Sequence, residues 1–151
     1  MEYTDNIQKL LISYLLSDKD LFIRTNQIIK PSYWNKRYRT TIETLQDHYE
    51  KYRNAPTFEQ IKAETGNSYE EISIKETVEQ TPWFFDTLEK FCKHKAMENL
   101  VIEEGPDLIK SGNMDSLVER AKENLLITLQ GDLGTEYFKN PKERLEKMRD
   151  R

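Results

Sequence analysis

The sequence predicts an all-α protein: a compact helical head, a long antiparallel helical hairpin and then a linker helix. Apolar residues recur at i, i+3, i+4 and i+7 in one segment after another, which is the spacing of one face of an α-helix. Capping residues and prolines stand where these segments begin and end, and no segment shows the alternation of a β-strand. With 36% hydrophobic, 33% charged and 11% aromatic residues among 151, the composition is that of a globular chain.

The head is predicted to span residues 1–80. Its first helix has Asp5 or Asn6 as N-cap. Its second helix is capped by Asp18 and ends at Pro31, because proline lacks an N–H and restricts the residue before it. The predicted apolar faces are Ile7, Leu10, Leu11, Tyr14 and Leu15 in the first helix; Leu21, Phe22, Thr25, Ile28 and Ile29 in the second; Tyr38, Ile42, Leu45 and Tyr49 in the third; and Phe58 and Ile61 in the fourth.

The third helix is predicted to run from Lys36 to Tyr52. Thr57 then caps a short helix, with Gln60 at the capping-box position, and Gly66 closes it. Residues 68–80 are polar and only weakly periodic. Tyr33 and Trp34, in the turn before the third helix, are predicted to be buried. The weak pattern of Tyr69, Ile72, Ile74 and Val78 indicates at most one further helix within residues 68–80.

The hairpin is predicted over residues 81–130. Thr81–Pro82 is typical of an N-cap and first helical position. One long helix follows, kinked at Gly105–Pro106, then a turn at Ser111–Asn113 and a partner helix capped by Asn113 or Asp115. The apolar residues of the two helices are Phe84, Phe85, Leu88, Phe91, Cys92, Ala96, Leu100 and Val101 in the first, and Leu117, Val118, Ala121, Leu125 and Leu129 in the second.

Residues 131–151 are predicted to be a linker that contains its own helix. Asn140 as N-cap, Pro141 at the first position and Glu143 at the third form a helix-start signature. We expect this helix to bind another domain or subunit; the alternative is that it folds back on its own domain. The residues predicted to bind a partner are Tyr137, Phe138, Asn140, Pro141, Leu145 and Met148.

Charge and composition disfavour several classes of function. A net charge of −4 argues against nucleic-acid binding by the chain as a whole. The single cysteine, Cys92, excludes an internal disulfide and indicates a reducing compartment. No apolar run approaches the length of a membrane span, so we expect a cytoplasmic protein that does not bind a membrane.

Motifs for catalysis are missing from the sequence. There is no G-x-x-x-x-G-K-[ST] loop for a nucleotide, and the two histidines are not arranged as metal ligands. Cys92 and His94 are two positions apart on a helix and point apart. We therefore predict no catalytic, cofactor-binding or metal-binding residue. Two basic clusters could bind phosphate, although such clusters more often form a solvated helix face. They are Lys36, Arg37 and Arg39 on the third helix, and Lys90, Lys93 and Lys95 on the long helix.

Four stretches, in this order, carry a resemblance that covers essentially the whole chain. They are LLISYLLSDKDLF followed by IIKPSYW, YRTTIETLQDHYEKYRNAPTFEQI, WFFDTLEKFCKHKAMENLVIE and DLGTEYFKNPKERLEKM. Each motif is degenerate, and specificity comes from their order. The chain resembles the N-terminal collar domain and linker of DnaB-type replicative DNA helicases, most closely the T-even-like phage branch.

The resemblance implies a role in assembly during DNA replication. Such domains form dimers through their hairpins, assemble into a collar on a hexameric ring around single-stranded DNA, and bind primase or loader proteins. The linker helix, here Asn140 to Met148, would pack on a neighbouring motor domain. The resemblance would place the hairpin core at Phe84, Leu88, Phe91, Leu117, Ala121 and Leu125.

The resemblance stops before the family's RecA-like ATPase domain. ATP, Mg and unwinding activity would then belong to a larger parent protein, working in the bacterial host cytoplasm if a phage encodes it. We expect either a fragment of such a helicase or a stand-alone collar homologue. The alternative function is an accessory protein, similar to a primase's helicase-binding domain, that binds or inhibits a helicase ring; a small DNA-binding regulator is the third hypothesis.

Overall fold

A computed structural model describes residues 2–127, and this part of the chain is all-helical without a β-strand. Three features organise it: a bundle of short helices, a long interrupted helix and a returning helix. The helices are α1 Asp5–Ser17, α2 Lys19–Thr25, α3 Lys36–Tyr52, α4 Phe58–Thr65, α5 Ile74–Glu79, α6 Thr81–Asn99, α7 Gly105–Lys110 and α8 Met114–Leu125. A 3₁₀ turn spans Pro31–Tyr33, and a π-helical turn spans Leu100–Glu104.

One hydrophobic core joins the head helices to α6. Phe91 of α6 lies at its centre, with its ring centroid 4.7 Å from that of Trp34 and 5.3 Å from that of Tyr3. Nearer the start of α6, the ring of Phe84 stacks on Tyr14 of α1 at 5.5 Å. The core therefore includes the first helix of the predicted hairpin, which anchors the hairpin to the head.

Polar contacts tie the head together where apolar packing stops. Gln8 is fully buried: its Nε2 donates to the carbonyl oxygen of Tyr3 at 2.9 Å, and its Oε1 accepts from the backbone N–H of Asn35 at 2.8 Å. Thr77 of α5 donates to Asp18 Oδ2 at 2.9 Å. A buried polar group needs such partners, because leaving its hydrogen bond unmade costs about 1–3 kcal/mol.

Most predicted boundaries in the head are confirmed. α3 begins at Lys36 and ends at Tyr52 as predicted. The capping box of α4 is formed, with Thr57 Oγ1 accepting from the Gln60 N–H at 3.1 Å and Gln60 Oε1 accepting from the Thr57 N–H at 2.9 Å. Gly66 ends that helix at φ +81°, a left-handed conformation that glycine adopts without steric cost.

Some helices begin or end at residues other than those predicted, and at α1 a tertiary contact is the reason. Thr4, not Asp5 or Asn6, is the N-cap of α1, because the Asp5 carboxylate accepts instead from Asn35 and Arg37. α2 ends at Thr25, well before Pro31. In the hairpin, Gln80 is the N-cap of α6 and Thr81 already lies within the helix.

A helix does form within residues 68–80, as α5, but some apolar residues of the patterns predicted in the head are exposed. Ile74 and Val78 are 55% and 60% exposed, because α5 turns Thr77 toward α1 and α2 to bond Asp18. On α1, Leu10 is 39% exposed, and Ile12 is buried in the core. A periodic pattern indicates an apolar face, but neighbouring elements decide how much of that face is covered.

The predicted hairpin is present in the described part of the chain. α6, the π turn and α7 form one interrupted helix over Thr81–Lys110, so the helix does resume after Gly105–Pro106. A tight turn with Gly112 at φ +77° then reverses the chain into α8. α8 packs along α6, the π turn and α7.

Candidate functional site

The apolar side chains of α8 are exposed to an unusual degree. None of the residues of α8 is buried. Met114 and Val118 are each 50% exposed, and Leu125 is 61% exposed. At about 100° per residue these three positions fall within about 40° of each other around the helix. They therefore form one apolar stripe, which we call the α8 stripe.

The neighbouring flank of α8 holds it to the long helix. Leu117 and Ala121 are half-buried, and Asn124 Nδ2 donates to the carbonyl oxygen of Ala96 at 3.1 Å. Arg120 forms an ion pair with Glu104 of the π turn. The contacts that position α8 are thus partly polar, and they leave the stripe uncovered in the described structure.

The predicted hairpin core is only partly correct. Phe84, Leu88 and Phe91 are fully buried, as predicted. The assignment of Leu125 to this core is wrong: it lies eight positions after Leu117, which turns it about 80° away from the inward flank. Ala121, between the two directions, is half-buried.

Further apolar residues of the hairpin are exposed along both of its helices. Scattered exposed apolar residues are ordinary on a protein surface, but seven of the twelve large ones that are exposed within residues 2–127 belong to the hairpin. Periodicity does not show which apolar residues are exposed. Met114, which begins α8 three positions before Leu117, is absent from the predicted pattern. The further exposed apolar residues of the hairpin are Val101, Ile102, Ile109 and Leu126, which are 66%, 65%, 57% and 74% exposed.

A groove of about 460 Å³ lies between the head and α8. Its walls come from Lys30, Ser32 and Tyr33 on one side and from α8 on the other. Burial raises the pKa of Tyr33 to about 12. Acids and bases are mixed on its lining, and Arg120 there is already paired with Glu104, so the groove has no marked preference for an anion or a cation.

The first basic cluster lies at the start of α3, where two of its members make contacts within the head. Arg37 forms an ion pair with Asp5 at 3.2 Å, and Arg39 Nε donates to the carbonyl oxygen of Trp34 at 3.0 Å. Lys36 is exposed at the first position of the helix. The cluster has an immediate structural use in joining α1 to α3.

The second basic cluster lies on α6, and each of its lysines has an acidic neighbour on the same helix. The pairs and their N–O distances are Lys90–Asp86 at 3.2 Å, Lys93–Glu89 at 3.4 Å and Lys95–Glu98 at 3.1 Å. Exposed pairs of this kind contribute about 0.3–0.5 kcal/mol each. They also offset positive charge that a phosphate would need.

Cys92, the one cysteine of the sequence, is not placed to act as a nucleophile. Burial raises the pKa of the Cys92 thiol, and the side chain is fully buried, so its reactive thiolate form is suppressed. Within residues 2–127 no group of His, Cys, Asp and Glu has the arrangement of a metal site. None of the helices described there has the length and apolar character required to cross a bilayer.

The predicted linker residues, Tyr137, Phe138, Asn140, Pro141, Leu145 and Met148, lie outside the described residues. Their role in binding a partner stays a prediction. Comparison of the chain with protein-family models, curated proteins and solved structures gave no match.

Proposed function

We propose that this chain is an assembly domain that associates with further copies of itself through the hairpin and docks partner proteins during DNA replication. The observation that carries the proposal is the α8 stripe, with Val118 50% and Leu125 61% exposed on one face of a helix whose neighbouring flank packs on the long helix.

Burial of this stripe would supply a driving force for association. Apolar area removed from water contributes about 25 cal/mol per Å². The stripe is present on every copy, so two hairpins can bury the same residues against each other about a two-fold axis, which is the commonest symmetry of homo-oligomers. The resemblance to DnaB-type collar domains supports the same arrangement, dimers assembling into a hexamer.

Direct binding of nucleic acid is a weaker explanation of these surfaces. Five of the six residues in the two basic clusters already contact an acid or a carbonyl oxygen. In the proposed role, single-stranded DNA would pass through the ring of the parent helicase, and ATP and Mg would be bound by its motor domain. Primase or a loader would bind the assembled collar.

The linker helix completes this proposal. Its Leu145 and Met148 would dock on the motor domain of a neighbouring subunit. In a full-length parent helicase, replacement of both by aspartate should leave the collar folded and abolish ring assembly. Intact rings from that double variant would contradict the role given to the linker.

The alternative, an accessory protein that binds or inhibits a helicase ring, also uses an exposed apolar helix face. The two functions differ in the partner that covers it. An accessory protein should co-sediment with an intact helicase ring and remain monomeric alone, whereas an assembly domain should self-associate without any ring.

Analytical ultracentrifugation of the full chain at micromolar concentrations tests the proposal. We expect the sedimentation coefficient of the wild type to rise with concentration, and Val118→Glu/Leu125→Glu to sediment as a monomer. Ile74→Glu/Val78→Glu is the matched control, because it places the same charges at two similarly exposed apolar positions on α5. A wild type that is monomeric throughout this range, or equal loss of association in both double variants, would overturn the proposal.

A further inference from the structure

The long helix changes its hydrogen-bonding pattern at Leu100–Glu104. Here the backbone N–H of Gly105 donates to the carbonyl oxygen of Leu100, five residues back instead of four. A π turn of this kind holds more residues per turn than an α-helix, and it is rare. It lies directly before Pro106, which has no N–H to donate.

The wider turn determines which side of α7 faces α8. In an α-helix, five steps of about 100° would leave Gly105 about 140° away from Leu100. The i to i+5 bond instead stacks Gly105 one turn above Leu100. Both residues are buried, and the π turn that contains Leu100 contacts α8.

Contacts made after the π turn depend on that orientation. A Cβ built on Gly105 would lie 3.8 Å from Leu117 Cδ1 of α8, so this position faces α8 directly. Leu108, three positions later, is half-buried. Glu104, at the end of the π turn, forms the ion pair with Arg120. A turn of regular α-helix would rotate all three positions away from α8.

Gly105 makes the turn possible. A Cβ at this position would lie 2.7 Å from the carbonyl oxygen of Leu100, which accepts its hydrogen bond. This is shorter than van der Waals contact, and the obstructing atom is backbone that cannot move aside as a side chain end can. Any side chain here requires the backbone of the π turn to shift.

We infer that the π turn accommodates one extra residue in the long helix, and that Gly105 is the positioning residue that keeps α7, and the hairpin tip with it, against α8. The inference concerns the register of this helix alone. It holds whether or not the hairpin associates with a second copy.

Single-residue deletions in the full chain test the inference, with thermal unfolding and helical circular dichroism as readouts. They are made in a Pro106→Ala background, because a proline ring inside a regular helix crowds the carbonyl four residues back, and in parallel in the wild-type sequence. Deleting Glu103 should convert the π turn to α-helix and change the melting temperature of its background by only a few degrees.

Deletion of Glu89 is the matched control, since it removes another glutamate from the same helix but within its regular part. It rotates Phe91, Cys92 and Ala96 out of the core and should abolish cooperative unfolding. If removing Glu103 is as damaging as removing Glu89 in both backgrounds, the extra-residue inference is wrong.

Gly105→Ala supplies a second, independent test of the inference. In the wild type we expect it to lower the melting temperature, because the added Cβ meets the Leu100 carbonyl oxygen. Once Glu103 is deleted, the same change should raise it, because alanine is favoured over glycine in a regular helix. The same sign in both backgrounds would contradict the role of Gly105 in the π turn.

Discussion

The head and the second half of the hairpin use similar sequence patterns with opposite results. On α3, Tyr38, Ile42 and Leu45 are repeated at helical spacing and are at most 2% exposed. On α8, Val118 and Leu125 follow the same spacing and are at least 50% exposed. The difference is in what each helix packs against: α3 is covered by the head and α8 only by one flank of the long helix. The head packs with α6 into one core, whereas α8 presents an apolar face that a second molecule can cover.

The largest expected contrast comes from the same substitution in each region. Leu45→Ala removes a fully buried side chain of α3 and should lower the free energy of unfolding by about 2–5 kcal/mol. Leu125→Ala removes a side chain that is 61% exposed and should change it by no more than about 0.5 kcal/mol. Urea denaturation at low protein concentration measures both without a contribution from association. Equal losses would show that α8 belongs to the core.

Helix caps should show a smaller contrast of the same kind. Thr57→Ala breaks the capping box of α4 and should cost about 1 kcal/mol. Asn113, the N-cap of α8, makes no side-chain capping bond, so Asn113→Ala should cost less than about 0.5 kcal/mol. The comparison uses the same urea titrations. A larger loss at Asn113 would mean that its side chain caps α8 in solution.

Alkaline pH should reveal the burial of two tyrosines in the head. Burial raises the pKa of Tyr33 and of Tyr69 from 10.0 to about 12. A raised pKa in the folded state stabilises the fold fully below pH 10, and this stabilisation is lost as the pH rises toward 12. Stability should therefore fall over this range, and Tyr33→Phe should make the fall shallower. Tyr69→Phe should also make the fall shallower. It should in addition lower the free energy of unfolding at pH 7, because Tyr69 shares a hydrogen bond with Thr41 at 2.7 Å.

Much of the fold could be predicted because its signals are local. The ends of α3, the capping box at Thr57 and the left-handed Gly66 depend on residues a few positions apart, and all three are confirmed. The all-α class and the hairpin follow from the same periodicity. A sequence of this kind shows where helices form and which residues share a face.

The rest depends on contacts between segments distant in sequence. Gln8 is buried because Tyr3 and Asn35 satisfy its amide, and no periodicity reveals that. Gly105–Pro106 was interpreted as a kink, whereas the hydrogen bonding shows a π turn that orients α7. The exposure of Leu125 likewise required knowing which flank of α8 meets α6.

The central claim is that the α8 stripe is an interface between copies of this chain, and chemical cross-linking tests it most directly. Cys92 is fully buried and has a raised pKa, so a cysteine introduced on the surface will be the reactive thiol. We predict that Val118→Cys, treated with a short bis-maleimide at micromolar concentration, gives covalent dimers in high yield. Val78→Cys, similarly exposed on α5, should give few. Equal yields from the two variants, or no dimers from Val118→Cys, would contradict the claim.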